Sequence, residues 1–114
     1  MTTSIQRTWT AVCPVGAVPE SAGVAALLDG GVQVAVFRLP GDRLFALSNW
    51  DPCSGAAVLS RGIVGDADGV PVVASPVYKE RFVLETGRCL DADGVSVPVY
   101  EVRVREGVVE VESA

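Results

Sequence analysis

Apolar side chains recur at every second position in this chain, and that spacing is the strongest constraint on its fold. In residues 98–105, Tyr100, Val102 and Val104 fall on one face, and Glu101, Arg103 and Arg105 on the other. This is the pattern of a half-buried antiparallel strand. Glu106-Gly107 signals a turn, and residues 108–111 read as the return strand of a hairpin. Residues 32–39 form a β-branched run between Gly30-Gly31 and Pro40-Gly41-Asp42, with residues 43–47 returning from that turn. Residues 24–28 are expected to pair with the same run. Ala25-Ala26-Leu27-Leu28 has helical propensity, but Gly23 and Gly30 leave less than two turns between them, so a strand is favoured. Further strands are expected at 9–12, 62–65, 70–74 and 81–84, with Trp9 in the core. Turn residues recur between them and no amphipathic helix is evident, which predicts an all-β antiparallel sandwich or barrel.

Histidine is absent from the 114 residues. That excludes Ser-His and Cys-His catalysis, His-ligated zinc, and haem with a proximal His on this chain. Fourteen acidic residues against nine basic ones give a net charge of −5, which argues against nucleic acid and against anionic lipid as partners. The first seven residues lack the apolar stretch of a signal peptide, and no apolar run is long enough to span a bilayer. Cys13, Cys53 and Cys89 form no Cys-x-x-Cys pair, so the expectation is three reduced thiols in a cytoplasmic protein.

Two loops concentrate unusual chemistry. The first is Ser48-Asn49-Trp50-Asp51-Pro52-Cys53-Ser54-Gly55, and the second is Ala74-Ser75-Pro76-Val77-Tyr78-Lys79-Glu80-Arg81-Phe82. Cys53 has no histidine to activate it, and Asp51 two positions away would raise its pKa, so an inert thiol is expected. Asp66 with Asp68, and Asp91 with Asp93, lie in Gly-containing turns without calcium-loop spacing and read as turn residues. The run Lys79-Glu80-Arg81 reads as a solvated lead into the next strand. Trp50, Pro52, Pro76, Val77, Tyr78 and Lys79 together form a candidate surface for docking a partner.

These loops resemble those of the Rieske family, which carries a Cys-x-His loop and a Cys-Pro-x-His loop ahead of an aromatic residue, a strand and a Thr-Gly turn. Asn49, Pro52, Gly55, Pro76, Phe82, Thr86 and Gly87 fit that framework. Asp51, Cys53, Ser75 and Tyr78 fall on the four ligand positions, and none is the family's ligand there. The cluster needs two thiolates on one iron and two imidazoles on the other, so the resemblance implies vacant ligand positions and no metal on this chain. Residues 60–66, 74–79 and 88–91, with Val97-Pro98-Val99-Tyr100, narrow the likeness to the small subunits of assimilatory NAD(P)H-dependent nitrite reductases.

That resemblance implies one Rieske-like domain over residues 1–114, with a smaller inserted loop region at roughly 49–82. It also implies an accessory role. The nitrite reductase large subunit would carry FAD, sirohaem and an iron–sulfur cluster, take electrons from NAD(P)H, and reduce nitrite to ammonium. This chain would support it from the cytoplasm, holding no cofactor and no catalytic residue of its own. The alternatives are an electron-transfer Rieske ferredoxin of an oxygenase, and a non-catalytic interaction module.

Overall fold

The computed structural model describes residues 8–28 and 30–113. Its architecture is carried by strands, with two single 3₁₀ turns at Val15–Ala17 and Leu59–Arg61. No helix among the described residues is long and apolar enough to cross a membrane.

Four strands make the largest sheet, in the order β10-β4-β3-β2. They are β2 (Ala22–Leu27), β3 (Gln33–Leu39), β4 (Arg43–Ser48) and β10 (Val99–Tyr100). A three-stranded sheet in the order β1-β12-β11 packs on one side of it. It comprises β1 (Thr8–Pro14), β11 (Val102–Arg105) and β12 (Val108–Ser113). The other side of the large sheet meets a second three-stranded sheet in the order β7-β8-β9. Its strands are β7 (Ile63–Ala67), β8 (Val70–Ala74) and β9 (Arg81–Val83). A two-residue pair, β5 (Trp50–Asp51) with β6 (Ala56–Ala57), completes the set.

β3 lies between two cores. Its alternation sends Ala35, Phe37 and Leu39 toward Leu47, Leu59, Val73, Phe82 and Leu84. Val34 and Val36 point the opposite way, toward Val18, Leu28, Ala46, Val109 and Val111. A strand covered on both faces can be apolar throughout, which accounts for the unbroken run Val34-Ala35-Val36-Phe37.

The expected hairpins over 32–39/43–47 and 102–105/108–111 form as antiparallel pairs, and β2 pairs with β3 through six residues. The expectation of one strand over 98–105 is corrected. The chain breaks at Glu101, so that β10 joins β4 while β11 joins β12. Period-two spacing continues through the break, because each half still has one face against a core. On β11 the expected facing is also softened: Val104 is exposed and Arg103 half-buried. Trp9, expected in the core, is half-buried, and the Arg103 guanidinium lies 3.9 Å above its ring while also pairing with Glu110 at 2.6 Å.

Gly23 and Gly87 mark close approaches. A Cβ on Gly23 would lie 2.5 Å from the Phe37 ring and 2.8 Å from the Ser60 carbonyl oxygen. Gly87, at φ +77°, would drive a Cβ onto the Val97 carbonyl oxygen, so the Thr86-Gly87 turn admits no larger residue. Gly23→Ala should therefore destabilise the fold by about 1–3 kcal/mol. Phe37→Ala, which empties the same contact, should cost ~3–5 kcal/mol. Urea unfolding of both variants measures these losses.

Candidate functional site at the two loop tips

The first loop leaves β4 through Asn49, which is buried. Its Oδ1 accepts the Ser60 amide at 2.7 Å, and its Nδ2 donates to the Ala57 carbonyl at 3.3 Å. Its backbone amide donates to Gln33, and its carbonyl accepts the Leu59 amide. One side chain and its own peptide thus tie the loop to β3, β6 and the 3₁₀ turn that follows.

Asp51 is the centre of the site. It is 0% exposed, and both carboxylate oxygens are occupied. Oδ1 accepts the Cys53 amide at 2.9 Å; Oδ2 accepts the hydroxyls of Ser54 at 2.8 Å and Ser75 at 2.5 Å. Burial pushes its carboxyl up, but these hydroxyls and the amides of Cys53 and Ser54 outweigh it and hold the group below its ordinary value. The Gly55 amide closes the loop on the Asp51 carbonyl at 2.8 Å.

Ser75 opens the second loop and is also buried. Its hydroxyl donates to Asp51 and accepts the Val77 amide at 3.3 Å. Its amide donates to the Glu80 carbonyl, and its carbonyl accepts the Lys79 amide. Lys79 takes φ +64° to close this circuit. Pro76, Val77, Tyr78 and Lys79 are thereby held outward.

Of the residues singled out in the sequence, Asp51 and Ser75 meet directly. Cys53 stands beside Asp51, whereas Tyr78 is 65% exposed. Trp50 and Val77 are also exposed, at 52% and 46%. Pro52, Pro76 and Lys79 are exposed as well. Ile63, which no sequence signal marked, is the most exposed large apolar residue among the described residues, at 73%. It sits at the start of β7, paired with Ala74 next to Ser75.

Glu80 corrects the expectation of a solvated run. It is half-buried, with Oε2 shielded from solvent. A carboxylate oxygen of Glu80, the Cys53 sulfur and an Asp51 oxygen lie within 4.8 Å of one another. Packing around the sulfur, then the Glu80 charge and its hydrogen bond to the thiol, push Cys53 up to about 11. Arg81 is not free either. Its Nε and Nη2 bind Asp91 at 3.0 and 2.9 Å, and its amide adds a third contact at 2.8 Å. Asp91, expected as a turn residue, is therefore a clamp on Arg81, and those bonds bring its carboxyl down to about 2. Asp66 keeps the turn role, accepting the Gly69 amide at 3.0 Å.

These donors do not fit a [2Fe–2S] cluster. One position offers a hard carboxylate oxygen whose lone pairs are already taken. Another offers a hydroxyl already hydrogen-bonded to that carboxylate. A lone thiol and an exposed phenol complete the set, against the two thiolates and two imidazoles a cluster needs.

The chain belongs to the Rieske-like [2Fe–2S] domain family, whose profile matches residues 8–112. Within it, the relatives include nitrite reductase subunits. The nitrite reductase (NADH) small subunit of Salmonella typhimurium is 44% identical over 103 residues, spanning 90% of this chain and 94% of that one. The crystal structure of a candidate NADH-dependent nitrite reductase small subunit from Mycobacterium tuberculosis is 48% identical with a TM-score of 0.93, covering 96% and 98% of the two chains. A nitrite reductase [NAD(P)H] large subunit of Klebsiella oxytoca is 47% identical over 103 residues, and this chain spans 11% of that polypeptide.

Cys53 should alkylate slowly at pH 8 although its residue is exposed, with the iodoacetamide rate still rising at pH 10; a rate plateau near pH 9 would contradict the stated neighbours. Asp91, ionised more readily in the folded state, adds stability that is complete above pH 4 and lost as pH falls toward 2. Asp91→Asn should remove that acid-sensitive component, as followed by thermal melts between pH 2 and 5.

Proposed function

We propose that this chain is the accessory small subunit of a cytoplasmic NAD(P)H-dependent nitrite reductase. It docks on the large subunit with its loop tips and carries neither cluster nor catalytic residue. FAD, sirohaem and an iron–sulfur cluster belong to the large subunit, which reduces nitrite to ammonium. The observation that carries this reading is the Asp51–Ser75 hydrogen bond, which joins two of the positions the resemblance assigns to cluster ligands, within a chain similar over 90% of its length to a nitrite reductase small subunit. The Klebsiella relative supports the partnership, because there a domain of this kind is part of the large-subunit polypeptide itself.

Trp50, Val77 and Tyr78 supply the apolar area that an interface centre needs, and Lys79 gives a charged rim. Aromatic anchors at such centres lose about 2 kcal/mol or more on truncation. Trp50→Ala and Tyr78→Ala should each weaken binding to the purified large subunit by roughly 30-fold, with the small subunit's melting temperature held. Calorimetric titration measures both. Copurification from the native host should recover a sirohaem protein, and the small subunit prepared under anaerobic, iron-replete conditions should contain no stoichiometric iron. A different partner, or iron with sulfide absorption, would overturn the reading.

A further inference from the structure

The two halves of the apolar tip are separated in sequence but flank one buried hydrogen bond. Trp50 and Pro52 are the neighbours of Asp51, and Pro76, Val77 and Tyr78 follow Ser75. Among the described residues, no backbone hydrogen bond passes from residues 49–55 to residues 75–80. Each loop is closed on itself, through Gly55 to Asp51 in one and through Lys79 and Glu80 to Ser75 in the other. Among the described residues, the direct links between them are the buried 2.5 Å hydrogen bond of Ser75 Oγ to Asp51 Oδ2 and the hydrogen bond between the Cys53 thiol and Glu80.

We infer that Asp51 and Ser75 are positioning residues: their buried hydrogen bond sets the spacing of the two loop tips and so preassembles the surface that binds the large subunit. This rests on the docking role proposed above. The physical basis is threefold. The bond is charge-assisted and shut away from water, where competing solvent cannot loosen it. The carboxylate is satisfied on both oxygens, so it has no alternative partner to swing toward. Binding through two mobile loops must also fix their relative position at the moment of contact, and a clasp that has already done so removes that cost.

The test is a graded series at one position. Ser75→Thr keeps the hydroxyl, Ser75→Cys keeps the shape but donates weakly, and Ser75→Ala keeps neither. Asp51→Asn keeps the volume and discards the charge. Affinity for the large subunit and residue-resolved amide exchange are read on the full chain. Affinity should fall in the order Ser, Thr, Cys, Ala, by about tenfold for Ser75→Ala and for Asp51→Asn. Exchange at Gly55 and Lys79 should quicken in the same order while the β1–β12 amides stay protected.

In a Tyr78→Ala background, Ser75→Ala should cost little further affinity, because the anchor it positions is already gone. Tyr78→Ala alone should not quicken exchange at the loops. Equal affinities across the series, full additivity with Tyr78→Ala, or exchange that quickens uniformly over the chain would each overturn the inference. Should Ser75→Ala fail to fold, the Thr and Cys variants carry the same comparison. A wild-type chain that does not bind the large subunit would instead sink the docking role itself, an outcome distinct from binding that ignores the clasp.

Discussion

Burial of β3 on both faces is the constraint from which the rest of the molecule hangs. A strand with one wet face could have been served by one sheet. Phe37 and Val36 point in opposite directions and both are fully buried, so two layers are required, one on each side. The β1-β12-β11 sheet supplies one and the β7-β8-β9 sheet the other. Gly23 lets β2 come close enough to the Phe37 ring and the Ser60 carbonyl for the second core to seal. The loops that carry Asp51 and Ser75 leave the very strands, β4 and β8, that pack this core.

The site is then a matter of charge placed where charge is costly. An isolated carboxylate with no exposed surface would be untenable. Asp51 persists because two hydroxyls and the amides around it meet its charge on a rigid frame. The arrangement is self-consistent. The bent first loop exists because Asp51 captures the amide of Cys53, and the second loop meets it because Ser75 is turned inward by its own closed circuit. Glu80 adds a second point at which the two loops face each other, through its hydrogen bond with the Cys53 thiol.

Much of the fold was legible in the sequence because period-two spacing and turn residues are local signals. The hairpins over 32–39/43–47 and 102–105/108–111 rest on such signals and form as read. The break at Glu101 was not legible, since both halves keep the same alternation while changing sheets. β5 and β6, at two residues each, are too short to carry a period. The loop residues were found through the framework they share with a known family, and residue chemistry alone would not have paired Asp51 with a serine 24 positions later. Glu80 was misread because its neighbours Lys79 and Arg81 look solvated, and its burial depends on Cys53 in another loop. Asp91 does lie in a bend, as its turn context implies, but its reach to Arg81, ten residues earlier, is not legible in the sequence.

The protonated sulfur of Cys53 has a bearing on chemical endurance. Peroxide attacks thiolates, and the first oxidation product, a sulfenic acid, forms only as fast as the thiolate is available. With its proton held to about pH 11, this surface sulfur presents almost no thiolate at neutral pH. A loop tip built this way resists conversion of its sulfur into a sulfenic acid or a disulfide.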